Sequence, residues 1–288
     1  MALHTGQKPV IQQGWLRAAL CLVAYLGLAY IAFPLAGVSP QAAVTEQLPI
    51  ALLTRVLLVH ALLVVGMVLL FRVLADGRPL RSLGLHWRGR EALTGSLAAL
   101  LIVGGGTLLL WLNGLLHFSR STTATAPLLA AIGLLLLTSF SEELFFRGYF
   151  LDNLLQSMPA VPALALSAAL FAGMHMGNDH IHWIAIVNLF ACGLLLGLNF
   201  CYTRNCWYSI ALHCCWNILE GPVLGYEVSG LRLPAFWRQE QSGSPILTGG
   251  PFGFEGSILN SLLTAALFLL LYRLYRRWYG PHRLISSF

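Results

Sequence analysis

Three short runs in this 288-residue chain place polar, chemically capable residues inside apolar segments. The first is Ser141-Glu142-Glu143-Leu144-Phe145-Phe146-Arg147, which continues the charge-free stretch 127–140 without a break. On a helix Glu143 and Arg147 stand at i, i+4 with the acid on the N-terminal side, the favourable order for an ion pair. Glu142 is rotated by about 100° from that face, so Arg147 cannot serve both carboxylates equally. The split suits one structural acid and one working base. The second run, Phe171-Ala172-Gly173-Met174-His175, puts Phe171 and His175 on one helix face. The third, His213-Cys214-Cys215-Trp216-Asn217, does the same for His213 and Asn217, both able to donate hydrogen bonds.

Each run alone has a plainer reading: a solvated ion pair at a helix end, a core histidine, a packing pair. Together they say more. A glutamate and a histidine can hold and deprotonate a water. A histidine and an asparagine can donate to the oxyanion formed when water attacks an amide. The set Glu142, His175, His213 and Asn217 therefore describes direct water attack on a peptide bond, with no serine or cysteine nucleophile. His180 and His182 follow the turn-like Gly177-Asn178-Asp179 and read as surface residues. Asn188 and Asn199 read as packing contacts between helices.

The elements that carry these runs are apolar. Hydrophobic residues make up 57% of the chain and charged residues 10%, against about 45–50% and about 25% in soluble domains. Mean hydropathy is +0.73. A soluble enzyme, a disordered chain and a nucleic-acid module are excluded. Eight apolar segments cover residues 15–38, 50–74, 92–116, 127–149, 160–176, 181–201, 207–224 and 257–275. In lipid every backbone polar group must be satisfied within its own segment, so helices are expected. The fold class that follows is an all-α polytopic bundle of about eight transmembrane helices. It forms one domain over 1–288, with the motif core at about 127–225. The first segment outruns the apolar core of a signal peptide and reads as a retained span.

Of the 17 Lys and Arg residues, Arg55, Arg120, Arg232 and Arg238 fall on one side and the other thirteen on the side of both termini. Basic loops stay inside, so both termini, including Lys8 and Arg283, are expected in the cytoplasm. The strongest signal is the cluster from Arg72 to Arg90. With that placement Glu142 and His213 lie in the cytoplasmic halves of their helices and His175 near the outer end of its own. They meet only if segment 160–176 starts deep or tilts. The outer segment 225–256 is rich in Gly and Pro and leads to Glu255 and Ser257. It reads either as a loop into the last helix or as a flap over the site. The six cysteines, Cys21, Cys192, Cys201, Cys206, Cys214 and Cys215, read as small buried hydrophobes.

The ordered triple Glu142-Glu143-x-x-x-Arg147, Phe171-x-x-x-His175 and His213-x-x-x-Asn217 resembles the motif set of the CAAX protease and bacteriocin-processing family. These are intramembrane glutamate proteases, also called the Abi family, and include the type II CAAX prenyl endopeptidases. The motifs span about a quarter of the chain, and the segment 249–257 resembles one in bacterial members. The resemblance implies that Glu142 activates water with help from His175. It implies that His213 and Asn217 form the oxyanion site and that Glu143 and Arg147 support it. It implies a membrane-associated peptide or protein as substrate, an integral location (the plasma membrane in a bacterium), no cofactor and no metal. The sequence's own end, Ile285-Ser286-Ser287-Phe288, is not a CaaX box.

Two other readings fit the same residues. Two histidines and a glutamate are the ligands of some catalytic zinc sites, although no H-E-x-x-H stands on any helix. A non-enzymatic membrane protein is the other: an immunity factor, a scaffold or a proton-coupled transporter. Against a transporter, no inverted repeat of broken spans is visible. Against a scaffold, the full set of four polar residues is present.

Overall fold

The computed structural model describes residues 9–39 and 50–280. Lys8, Arg283 and the last four residues lie outside these. All eight apolar segments are helical. They are α1 Gly14–Leu35, α2 Ile50–Leu74, α3 Gly89–Leu112, α4 Thr125–Leu154, α5 Ala160–Met174, α6 Trp183–Thr203, α7 Trp207–Ile218 and α8 Ile258–Tyr279. Six of them, α1 to α4, α6 and α8, are long and apolar enough to cross a membrane. At 15 and 12 residues, α5 and α7 are shorter. The protein is an all-α polytopic membrane bundle. The one sheet among the described residues is a two-stranded antiparallel pair outside the bundle, β1 Leu116–Arg120 with β2 Trp237–Gln241.

The short helices have local causes. Pro159 caps α5, so that helix cannot extend backwards from Ala160. The Asn205 side chain accepts from Trp207 N at 3.0 Å and starts α7 abruptly. Leu219–Val223 prolongs α7 as a wider π-helical turn around Pro222. α7 packs mainly on α3, and α5 on α6. Glycine makes both contacts possible: a Cβ on Gly95 would strike the Tyr208 carbonyl, and one on Gly193 would lie 2.8 Å from Ala168 Cα. The Asn188 amide donates to the carbonyls of Glu255 and Ser257, and Asn199 to Glu91 and Tyr275. Both bridge helices and adjoining segments as the sequence suggested. Ser257 caps α8 by accepting from Asn260 N at 2.9 Å. The cysteines are free, and Cys21, Cys201, Cys206 and Cys214 are buried.

One end of the bundle is tied by charge. Asp152 at the end of α4 meets Arg72 (3.0 Å), Arg78 (2.9 Å) and Arg204 (3.2 Å). Asp76, just past α2, meets Arg72 at 3.1 Å and Arg17 of α1 at 3.5 Å. Arg17, Arg72 and Asp76 are fully buried. Residues expected only as topology signals thus join α1, α2, α4 and the α6–α7 turn into one ionic knot.

Candidate active site

Within α4 the helix widens to π-helical geometry over Leu144–Leu151, immediately after Glu143. Such stretches are frequent at functional sites. Glu143 and Arg147 are both fully buried, and Arg147 Nη1 donates to Glu143 Oε1 at 2.8 Å. The same oxygen faces His213 Nδ1 at 2.9 Å. Arg147 Nη2 donates to the Gly193 carbonyl at 3.2 Å. The guanidinium also lies over the Phe171 ring, 4.9 Å from its centroid.

Phe171 is the hub. Its ring centroid is 4.8 Å from that of His175 and 5.9 Å from that of His213. The expected obstacle, that His175 lies too near the outer surface, does not keep the motifs apart. His175 and His213 meet instead through their shared contact with Phe171. His175 Nδ1 lies 2.8 Å from the Phe171 carbonyl, which can only accept. Nδ1 therefore carries the proton, and Nε2 keeps its lone pair when the ring is neutral.

α7 lies against α4 in matching register. His213 reaches Glu143, and Asn217 Nδ2 donates to Ser139 Oγ at 3.0 Å. Both pairs are i, i+4 on their helices. Ser139 had no motif to mark it, and its signal was its position one turn before Glu143.

Glu142 is half-buried and points elsewhere, towards α1 and α2. It lies within electrostatic reach of Tyr25, His60 and also His213. Among the described residues, Glu142 Oε2 and His60 Nε2 are buried with no hydrogen-bond partner. The Tyr25 ring meets His60 edge-on at 5.1 Å and stacks on Phe145 at 4.3 Å. Neither Tyr25 nor His60 was singled out from the sequence. A histidine inside an apolar span was the available sign.

Two further acids lie beside the site. Trp216 Nε1 donates to Glu220 Oε2 at 2.9 Å, and Glu255 N to Glu220 Oε1 at 3.1 Å. Glu255 accepts from the Ser229 hydroxyl and lies within electrostatic reach of His175 and His213. Burial pushes the Glu255 carboxyl up. The segment 225–256 therefore does more than lead into α8: Asn178 donates to the Ser229 carbonyl, and Phe252 packs on His182 at 6.2 Å. His182 is half-buried for that reason, while His180 is exposed. Among the described residues no three His, Cys, Asp or Glu side chains gather as metal ligands would.

Of the six expected residues, Arg147, His175 and His213 therefore converge on Phe171, and Glu143 binds both Arg147 and His213. Asn217 joins one turn away, and Glu142 lies within electrostatic reach of Tyr25 and His60 and also of His213. No curated protein and no solved structure matches the chain. Residues 124–219, which hold all three motifs, match the family model described as "Type II CAAX prenyl endopeptidase Rce1-like". That third of the chain is similar to the type II CAAX prenyl endopeptidases, which supports the resemblance carried by the three motifs.

Proposed function

We propose that the protein is an intramembrane endopeptidase that cleaves a membrane-associated peptide by direct attack of water, without a metal. The family implies protease activity of the CAAX type. The observation that carries the finer reading is the meeting of three motifs around Phe171, with Glu142 Oε2 left without a hydrogen bond among the described residues and its carboxylate within electrostatic reach of His213. Glu142 takes the proton from water, helped by His175 Nε2. The water oxygen bonds to the scissile carbonyl carbon, and His213 and Asn217 donate to the oxyanion. Glu142 then returns the proton to the leaving amine nitrogen as the C–N bond breaks. Glu143 holds His213 by Nδ1, and Arg147 holds Glu143.

Prenylated CaaX ends or other membrane-bound peptides are the substrate classes of this reading. The domain spans 1–288, with the reacting groups in 127–225. Both termini are cytoplasmic, in the plasma membrane if the source is a bacterium. The thirteen-to-four asymmetry of basic residues supports this orientation, and the pairing of β1 with β2 agrees with the expected grouping of connections by side. That pairing joins the α3–α4 and α7–α8 connections on the end opposite the arginine knot. Reporter fusions in the Arg78 to Arg90 loop and after α8 are expected to read cytoplasmic, and an external reading at either reverses the placement. The test of function compares membrane and secreted peptidomes of cells carrying the intact protein or Glu142→Gln. Peptides shortened only with the intact protein support a protease. Identical peptidomes leave the chain as a scaffold or immunity protein.

A further inference from the structure

At the end of the bundle that carries the arginine knot, a pocket of about 410 Å³ opens between the Leu80–Leu83 turn, the end of α4 and the α6–α7 turn. It is lined by Arg78, Arg81, His86, Asp152, Gln156 and Arg204, among others. The proteolytic reading makes no use of it.

The charges around this pocket do not balance. Among the described residues Asp152 is the one carboxylate in its wall, and it already faces Arg72, Arg78 and Arg204. Asp76 behind it is held by Arg17 and Arg72. Four arginines thus share two carboxylates, and the exposed Arg81 adds a fifth with no ion pair among the described residues. Three positive charges are left over. Arg17 and Arg72 are fully buried and cannot turn to solvent. Arg78 and Arg204, at 38% and 42% side-chain exposure, face both Asp152 and the pocket. An excess of this size at the edge of a low-dielectric bundle favours an anion.

The walls are built rather than loose. Arg204 ends α6 in the left-handed region at φ 51°, a conformation uncommon for a residue with a side chain. Gly84 stands opposite at φ 76°, and a Cβ there would lie 2.8 Å from the Arg204 carbonyl oxygen. The Gly84 carbonyl accepts from Cys206 N at 3.0 Å. Asn205 donates to the His86 carbonyl at 2.8 Å. The turn that carries Arg81 is thereby fixed against the one that carries Arg204.

We propose that this pocket binds a phosphate-bearing anion. Guanidinium forks match phosphate oxygens, and the volume lies in the range of small-ligand pockets, about 300–1,000 Å³. Basic pockets between membrane helices hold phosphorylated headgroups. A phospholipid headgroup and free phosphate share this chemistry, and the assay separates them.

The full-length protein in neutral detergent is melted with dihexanoyl-phosphatidylglycerol, with dihexanoyl-phosphatidylcholine, and with inorganic phosphate against chloride at equal ionic strength. At about a hundredfold over Kd the expected rise in Tm is roughly 5 °C. A rise with phosphatidylglycerol but not phosphatidylcholine assigns the pocket to a lipid headgroup. A rise with inorganic phosphate as well assigns it to the phosphate alone. Arg81→Glu, which breaks no ion pair, is expected to abolish the rise, while Arg277→Ala on exposed α8 leaves it intact. No rise with either anion overturns the proposal. So does a rise unchanged in Arg81→Glu, or one lost equally in Arg277→Ala.

Discussion

Glu143→Gln is expected to damage stability and turnover together. In the wild type one oxygen, Glu143 Oε1, receives Arg147 at 2.8 Å and faces His213 at 2.9 Å, with no exposure of either Glu143 or Arg147. The amide keeps an acceptor but loses the charge, leaving a buried guanidinium with the Gly193 carbonyl and two aromatic rings. Breaking a buried pair costs about 3–5 kcal/mol. At about 2 °C per kcal/mol for a chain of this size, Tm falls by roughly 6–10 °C. From the sequence, Glu143 reads as the structural acid paired with Arg147, which implies mainly a stability effect. The structure adds the loss of the anchor on His213, so specific activity per folded molecule should fall as well. Melting curves in detergent and turnover by the folded fraction check both. A Tm within 2 °C of wild type (roughly 1 kcal/mol on the same scale) would refute the claim that Arg147 depends on this carboxylate. A lowered Tm with full turnover per folded molecule would refute the positioning of His213.

His60→Leu should lower turnover by roughly tenfold, about 1.4 kcal/mol of transition-state stabilisation, because His60 is within electrostatic reach of Glu142. Its Tm should stay near wild type, and unchanged turnover would remove His60 from the site. Strong chelators should leave activity intact. Inactivation rescued by zinc would give the site to a metal held by His175 and His213. Glu255 has its carboxyl pushed up by burial, so its contribution to stability is fully present below its unfolded pKa, near about 4.3. That contribution is lost as pH rises through the folded value. Glu255→Gln, neutral throughout, should therefore gain Tm relative to wild type as pH is raised from 5 to 8, and parallel curves would contradict this.

Much of this fold was legible because lipid leaves few choices. A long apolar run must be a helix, and all eight runs are. What the runs could not show was which of them meet. The short segment 160–176 leaves open whether His175 can reach the other motifs, and its contact with Phe171, which also meets His213, needed packing to be seen. The Glu143–Arg147 pair was legible because i, i+4 spacing is local. Its third member, His213, comes from a helix 70 residues away in sequence, and only packing of α7 on α4 makes the contact. Tyr25, His60, Ser139 and Glu220 were missed for the same reason, and Glu255 was read only as part of the segment leading into α8. Each is a single polar residue whose meaning depends on a neighbour from another element. The arginines were read by side of the membrane, and burial of Arg17 and Arg72 in an ionic knot needed the two aspartates to be placed.

The central claim is that Glu142 is the carboxylate that activates water. It is tested by purifying wild type and Glu142→Gln in detergent and measuring cleavage of a peptide found in the peptidome comparison, per folded molecule. Because Glu142 Oε2 has no partner among the described residues, the variant should melt with the wild type. An amide cannot accept the proton of water, so turnover should fall by at least about 10²–10⁴-fold. Cleavage at the wild-type rate by a folded Glu142→Gln protein would contradict the account.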